Sequence, residues 1–454
     1  MPTFYVQNFG CRATQADGAA IERQFRDCGM ERAEAAATAT VVVLNTCTVT
    51  ASADQDARAA IRRVHRENPG CQIVVTGCYA QRAPQEIAAL PGVTRVIGNS
   101  HKHQLANLAI TPRNFIPLTN LRTENRQLAT EIHISDIFAH TELLAAPVFD
   151  AGNERTRPNL KVQDGCDNRC SFCVIPYVRG QSRSLPLTEI LREVRVLVDA
   201  GYREVVISGI NLGRWGRDLP RTMWSGRPRP PQFEDLIRAV LDNTSLEKLR
   251  ISSVEPMDWS GELIQLVAES PRIAKHTHVP LQSGSDRILR QMHRKYRPWH
   301  YREKIEKIRA AMPTAAIGAD VMVGFPGETD ADFAETRRLI EDLPFTYLHV
   351  FTYSSRPGTP AAGMPNRVPV PVARERSRIL RELAAGKKRE FMRSFVGQTA
   401  RAITLNVFDG HFTEALTDNY LKLQLAGKHA PNRWIESQIS QVSGGALMGA
   451  VLSG

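Results

Sequence analysis

VVVLNTC at residues 41–47 joins an unbroken apolar run to two small polar residues and a cysteine. An uninterrupted, β-branched run is the pattern of a strand buried on both faces, as in a parallel sheet. TFYVQNFGC (3–11) and IVVTGC (73–78) repeat the same grammar. Helical patterns follow each of them, in GAAIERQFRDCG (18–29), ADQDARAAIRRVHREN (53–68) and APQEIAALPGV (83–93), and VTRVIG (93–98) makes a fourth short strand. Strand and helix in alternation predict an α/β domain over 1–115 with a doubly wound parallel sheet. In such a sheet ligands bind outside the carboxyl ends of the strands. Cys11, Cys47 and Cys78 each occupy such an end, so they are expected to meet at one rim and hold a metal centre. The loop NFGCRATQ (8–15) lacks the GxGxxG that would cradle a dinucleotide phosphate.

Working outward, residues 116–155 are polar and irregular and read as a linker. A second β/α series is expected over 156–390, with strands at LKVQ (160–163), EVVIS (204–208), KLRIS (248–252), HTHVPL (276–281), GADVMVGF (318–325) and YLHVFTY (347–353). Six β/α units predict a partial (β/α)6 barrel. In TEILREVRVLVDAG, Thr188 is expected to cap a helix whose inner stripe is Ile190, Val194 and Leu197, with Gly201 ending it. WSGRPRPP (224–231) reads as a loop insertion. Residues 394–454 change character: ARAITLNVF, YLKLQL and ALMGAVL, separated by Gly, Asp and Asn, predict a small β-barrel.

At 454 residues the chain has room for several cores, and 42% hydrophobic with 23% charged residues is ordinary for a globular protein. The start, MPTFYVQNFG, lacks the pattern of a secretory signal, and no run approaches the length of a membrane span. A cytoplasmic location, with no membrane partner, is the expectation. All eight cysteines precede residue 174, which in a reducing compartment favours metal or redox chemistry over disulfides. Cys28 and Cys71 lack the turn-like context of the other six and read as plain structural thiols. The net charge of +11 suits a polyanion. Arg58, Arg62 and Arg66 share one helix face, RILRQMHRKYRP (287–298) is strongly basic, and 373–393 holds eight basic against three acidic residues, including Lys387, Lys388 and Arg389. Together these stretches favour a nucleic acid.

The strongest local signal is QDGCDNRCSFCVIPYVRG (163–180), where Cys166, Cys170 and Cys173 are spaced CxxxCxxC after the first strand of the second series. Three thiolates at this spacing can hold three corners of a [4Fe–4S] cluster. A structural zinc site needs four protein ligands, yet no cysteine follows Cys173 and no histidine follows until His276. Spacing favours the cluster over zinc without excluding zinc.

CxxxCxxC with Phe172 inside the loop resembles the signature of the radical S-adenosylmethionine superfamily, whose fold is the partial barrel read above. The resemblance implies that S-adenosylmethionine chelates the fourth iron and is cleaved by one electron to a 5′-deoxyadenosyl radical. A thiol triplet in each α/β domain resembles the methylthiotransferase branch, as do RGQSRS (179–184), HVPLQSGSDRILRQMHRKY (278–296) and GADVMVGFPGETDADF (318–333). The terminal barrel occupies the place of that branch's TRAM domain. By this resemblance the N-terminal trio binds a second [4Fe–4S] cluster involved in sulfur insertion, and one S-adenosylmethionine supplies a methyl group while another supplies the radical. An electron donor and a sulfur source are then required as partners.

The resemblance also places S-adenosylmethionine contacts. Ser208, Gly209 and Asn211 follow the second barrel strand, although SGIN stands where the superfamily usually has an acidic GGE. Ser253 and Glu255 are expected near the ribose or amino-acid moiety, and Val323, Gly324 and Phe325 near the adenine. GFPGE (324–328) is not a P-loop, since no Lys-Ser/Thr follows. NFGCR (8–12) and NTCTVT (45–50) most resemble the enzymes that act on carbon 2 of threonylcarbamoyl-adenosine beside the tRNA anticodon. Arg12 could pair with the threonyl carboxylate, and the basic helices could bind tRNA phosphates. One departure is the terminal barrel, with four Lys/Arg against four Asp/Glu; Phe408, Tyr420 and Trp434 stacking on bases would have to supply recognition there. Alternatively that barrel only supports the rest. Sister activities on isopentenyl-adenosine in tRNA or on a ribosomal-protein aspartate remain alternatives, as does a non-catalytic, zinc-containing RNA-binding protein.

Overall fold

The computed structural model describes residues 1–111, 129–140, 143, 156–224 and 227–452. The chain divides into two compact units, one of Met1–Val148, Asp164–Asn168 and Cys173–Arg183, the other of Phe149–Gln163, Arg169–Phe172 and Ser184–Gly454. The division therefore runs through the CxxxCxxC loop, with Cys166 and Cys173 in the first unit and Cys170 in the second.

The first unit runs β1 (Thr3–Asn8), α1 (Arg12–Asp27), β2 (Glu31–Arg32), β3 (Val41–Thr46), α2 (Ala51–Glu67), β4 (Gln72–Gly77), α3 (Cys78–Arg82), α4 (Pro84–Ala88), β5 (Val93–Ile97), α5 (Leu105–Ile110) and β6 (Glu131–His133). Its strands form one parallel sheet in the order β2-β1-β3-β4-β5-β6. Every residue of β3 is buried. Val42 and Leu44 pack with Ala57, Ile61 and Val64 of α2, while Val41 and Val43 pack with Ile21 and Phe25 of α1. Helices on both faces explain why this strand reads as a continuous apolar run.

Two expectations for this unit change. The first helix begins at Arg12 rather than near Gly18; Gly18 lies inside it because a Cβ there would stand 2.0 Å from Asn8 Oδ1. The expected linker over 116–155 falls outside the described residues except at 129–140 and 143. There, Glu131–His133 is no linker but the sixth strand, pairing with β5 and tied to it by a 2.6 Å ion pair between Arg95 and Glu131. Three polar-flanked residues carry no periodicity that a sequence reading can detect.

The second series opens with β7 (Asn159–Lys161); the cysteine stretch after it carries the short strand β8 (Gln163–Asp164), helix α6 (Ile175–Arg179) and short strand β9 (Arg183–Ser184). Then come α7 (Leu187–Asp199), β10 (Glu204–Ser208), β11 (Thr222–Trp224), β12 (Arg227–Arg229), α8 (Phe233–Asn243), β13 (Lys248–Ile251), α9 (Gly261–Glu269), β14 (His276–His278), α10 (Asp286–Gln291), α11 (Pro298–Ala311), β15 (Ala316–Val323), α12 (Asp330–Asp342), β16 (Tyr347–Thr352) and α13 (Val370–Arg393). β13-β10-β7 and β14-β15-β16 are parallel sheets. Parallel bridges from Leu249 to Ile273 and from Ser253 to His278 join them edge to edge. The six expected strands thus form the arc of a partial barrel. Ile190, Val194 and Leu197 are buried as expected, but Pro186, not Thr188, stands at the N-cap of α7. Proline's fixed φ suits that boundary, and Thr188 falls in the first turn. The expected loop insertion is partly a two-stranded ribbon, β11 with β12; residues 225–226 lie outside the described residues.

β17 (Thr399–Phe408), β18 (Phe412–Thr417), β19 (Lys422–Ala426), β20 (Trp434–Ser443) and β21 (Ala446–Val451) close into a barrel in the order β17-β18-β19-β21-β20. Its core of Ala402, Ala415, Leu423, Leu425, Ile439 and Leu447 is completed by Met392 in the last turn of α13 and by Phe395 just after that helix. The barrel is fastened to the amino ends of the arc's strands. Lys248 pairs with Asp418 at 2.9 Å, Arg250 Nη1 donates to the Asp418 carbonyl at 3.2 Å, and Asn432 Nδ2 donates to the Gly201 carbonyl at 2.7 Å.

Candidate metal centres and cofactor contacts

In the first unit, β1, β3 and β4 are neighbours whose ends lie level, with Asn8 opposite Asn45 and Thr46 opposite Gly77. Cys11 is the N-cap of α1, Cys47 follows β3 directly, and Cys78 opens α3 directly after β4. The sequence-predicted trio is therefore gathered at the carboxyl ends of three adjacent strands. Gly10, at φ +99°, keeps the first loop against Cys47: a Cβ there would lie 2.7 Å from Cys47 Cβ and 2.9 Å from its Sγ. Burial, then the neighbouring Cys78 thiol, pushes the Cys47 pKa up to about 12. A thiol held protonated by burial and by a second thiol beside it belongs to a donor set that a cationic iron centre would relieve. In that sense the residues fit a cluster.

Groups missed by the sequence reading frame this rim. Asn45 Nδ2 donates to Asn8 Oδ1 at 2.9 Å and to the Thr14 carbonyl at 2.8 Å, tying two of the cysteine loops. Asn99 Nδ2 lies 3.6 Å from Cys78 Sγ and donates to the Val178 carbonyl at 2.7 Å. Arg179 is buried, with Nη1 2.9 Å from both Asp164 oxygens and Nη2 3.0 Å from Asp17. Asp17 also holds buried Lys102 at 2.9 Å. Burial works against the Arg179 charge, but Asp164, Cys78 and Asp17 together raise its pKa well above the usual range. A fixed positive charge therefore faces the thiol rim. The only sequence signal was RGQSRS, read as a block and not as a charge.

In the second unit, Cys170 Sγ accepts a hydrogen bond from Arg294 Nη1 at 3.2 Å. Arg294 is buried, ion-paired with Glu255, and its guanidinium lies 4.9 Å from the centre of the Tyr296 ring. Ser171 is clamped by its N–H to the Met292 carbonyl (3.1 Å) and its Oγ to the Gln291 carbonyl (2.7 Å). Phe172 meets Phe325 edge-on at 6.5 Å, in a cluster with Ile288 and Met322. The predicted loop aromatic and a predicted adenine neighbour are thus brought together.

Ser208 ends β10 with its Oγ buried and without a hydrogen-bond partner among the described residues, as is Gln282 Oε1. Two buried oxygens awaiting donors fit a polar ligand. Gly209 lies against Gln163, where a Cβ would be 2.8 Å from Oε1, and the Asn211 amide donates to that same Oε1 at 2.7 Å. Ser253 bridges to His278. Glu255 is engaged by Arg294 rather than standing open. Val323 and Phe325 are fully buried, and Gly324 (φ +76°) donates its N–H to Glu328 at 2.7 Å.

The basic residues separate. Arg12 opens α1 and is exposed, as are Arg62, Arg66 and Arg389. Arg58 instead donates to Tyr79 Oη at 2.8 Å, and Lys387 donates to the carbonyls of Glu341 (2.7 Å) and Leu343 (3.0 Å); Lys388 is half-buried. Of the three aromatics expected to stack on bases, Phe408 is exposed. Tyr420 packs 4.6 Å from His276, and Trp434 lies under Lys248 (5.6 Å) and Arg401 (4.9 Å).

Comparison with known proteins matches a family model described as the radical SAM superfamily to residues 160–340, and one described as uncharacterized protein family UPF0004 to residues 3–98. The threonylcarbamoyladenosine tRNA methylthiotransferase MtaB of Bacillus subtilis is 36% identical over 94% of this chain and 91% of its own. A tRNA-2-methylthio-N(6)-dimethylallyladenosine synthase of Thermobifida fusca is 34% identical over 97% of this chain and 84% of its own. Among solved structures, the radical S-adenosylmethionine methyltransferase TsrM of Kitasatospora setae, at 15% identity, superposes with a TM-score of 0.56 over 90% of this chain and 79% of its own, a likeness of fold.

Proposed function

Since this chain belongs to the radical S-adenosylmethionine tRNA methylthiotransferases, we propose that it methylthiolates carbon 2 of threonylcarbamoyl-adenosine beside the tRNA anticodon. It is an enzyme using a [4Fe–4S] cluster and S-adenosylmethionine, which sets aside a non-catalytic zinc protein. The observation that carries the reading is a thiol triplet at three adjacent strand ends in a chain that also bears CxxxCxxC and is similar to such enzymes along nearly its whole length.

When bound, the cluster and S-adenosylmethionine supply a primary carbon radical, able to take a hydrogen from an aromatic C–H that no side-chain base can ionise. The chain's own residues prepare the site. Cys166, Cys170 and Cys173 would hold that cluster, with Arg294 donating to Cys170 Sγ. Ser208, Gly209, Asn211, Phe325 and the Glu255–Arg294 pair would position S-adenosylmethionine. Cys11, Cys47 and Cys78 would hold a second cluster for sulfur insertion, under the charge of Arg179. Arg12, beside Cys11, would meet the threonyl carboxylate. An electron donor and a sulfur source complete the reaction, and the enzyme would work in the cytoplasm with its tRNA. No helix among the described residues is long and apolar enough to cross a membrane.

The experiment is nucleoside mass spectrometry of tRNA from cells lacking every methylthiotransferase gene and complemented with this one. Methylthio-threonylcarbamoyl-adenosine should appear with the wild type and not with Cys170→Ala. Appearance of methylthio-isopentenyl-adenosine alone would reassign the substrate.

A further inference from the structure

The six-stranded arc carries a cluster that none of these roles uses. His278 ends β14, Asp320 lies within β15 and His349 within β16. Strand register brings them side by side, His278 opposite Gly318 and Asp320 opposite His349. His278 Nε2 lies 3.2 Å and His349 Nδ1 3.3 Å from the same atom, Asp320 Oδ1. One donor atom from each residue lies within 4.8 Å of the other two. We propose that His278, Asp320 and His349 form a mononuclear site for a zinc-like divalent cation, separate from the cysteine centres.

A tetrahedral zinc with bonds of about 2.0–2.1 Å has donor–donor edges of about 3.3 Å, and two of the three edges here already have that length. The third closes by rotation of His349, which is exposed. Two imidazoles and one carboxylate suit a borderline cation, and three protein ligands leave a position for water or an anionic oxygen. Alternation along the strands puts Asp320 on one face with Met322, and His349 with Phe351. Met322 and Phe351 belong to the apolar cluster that contains Phe172, so the cation would lie two residues down the strands from that cluster.

The surroundings look built for ligation. His278 Nδ1 lies 3.0 Å from Tyr347 Oη, which also meets His276 Nε2 at 2.7 Å. A proton on Nδ1 donated to Tyr347 leaves the Nε2 lone pair for a metal. Tyr347 reaches this position only because residue 318 is glycine: a Cβ there would stand 2.1 Å from its ring. The ring is further set by stacking on His276, 5.9 Å away and 3° from parallel.

A metal-free bridge, with both histidines donating to Oδ1, shares this geometry but retains no cation. The full-length chain, anaerobically loaded with iron, is dialysed against Zn²⁺ and then against buffer, and zinc and iron are counted together. The wild type is expected to keep one more zinc per chain than His349→Ala or Asp320→Asn, at equal iron. The zinc X-ray absorption edge is expected to show nitrogen and oxygen neighbours only. Equal zinc in the wild type and His349→Ala overturns the site, as does a sulfur shell. Because iron is read in the same samples, failure of this site is distinguishable from failure of the cysteine centres.

Discussion

Arg294 joins Cys170 and Glu255 through one guanidinium, its Nη1 3.2 Å from the thiol sulfur and its Nη2 on the carboxylate. Burial opposes the charge, but Tyr296, Glu255 and Cys170 hold its pKa well above the usual range. The cation is therefore permanent, and it stands beside the sulfur that would ligate the cluster. Arg294→Gln keeps a donor and loses the charge. Groups supporting a metal ligand typically matter by about 10–100-fold in affinity or activity, so 5′-deoxyadenosine formation should fall by about that factor. The reduction potential of the reconstituted cluster, read by electron paramagnetic resonance, should move to lower values. An unchanged potential would show that Arg294 only packs.

The two thiol triplets should be separable by iron content. Wild type should carry about eight irons and Cys47→Ala about four, with S-adenosylmethionine cleavage retained and methylthiolation abolished. Cys170→Ala should retain the iron of the N-terminal trio and lose cleavage. Methylthiolated nucleoside from either variant would break this division of labour.

Gly10→Ala tests how closely the first loop approaches Cys47. A side chain at φ +99° is strained, at a cost of about 1–2 kcal/mol, and the added Cβ displaces Cys47 as well. Melting temperature should drop and iron at the N-terminal trio should fall, while Gly29→Ala, whose Cβ would meet nothing within 4 Å, should lose stability but keep its iron. Equal iron loss in both variants would make the effect one of general folding.

RNA binding should depend on the outward-facing arginines alone. Each phosphate contact contributes a slope of about 0.9 in log K against log salt. The double variant Arg62→Ala/Arg66→Ala should flatten that slope by about 1–2 for unmodified tRNA in filter binding. Arg58→Ala, whose guanidinium is spent on Tyr79, should leave the slope alone and lower stability. A slope loss from Arg58 equal to that of the pair would contradict this assignment.

The fold was legible where periodicity is long. β3, β10 and β15 are apolar runs buried from both sides, and their order alone implied parallel sheets. β6 was not legible, because Glu131–His133 becomes a strand only by finding the edge of β5. The cysteines were legible because thiols at strand ends have few other uses. Arg294, Arg179 and Asp17 were not: they are ordinary surface residues in composition, and only long-range folding buries Arg294 and Arg179 beside sulfur and Asp17 against Arg179. For Tyr420 and Trp434 the sequence leaves base stacking and a supporting role both open, because it cannot tell an aromatic ring offered to RNA from one packed on His276 or lying against Lys248.

The fastening of the terminal barrel has a mechanical consequence. Asp418 and Tyr420 spend their charge and ring surface on Lys248, Arg250 and His276, which accounts for a domain with little cationic surplus. Bolted beneath the arc in this way, it works as a rigid footing and not as a tethered hook. Any nucleotide gripped there would be held at a set height from the chemistry, so lengthening the chain between α13 and β17 should change that height little.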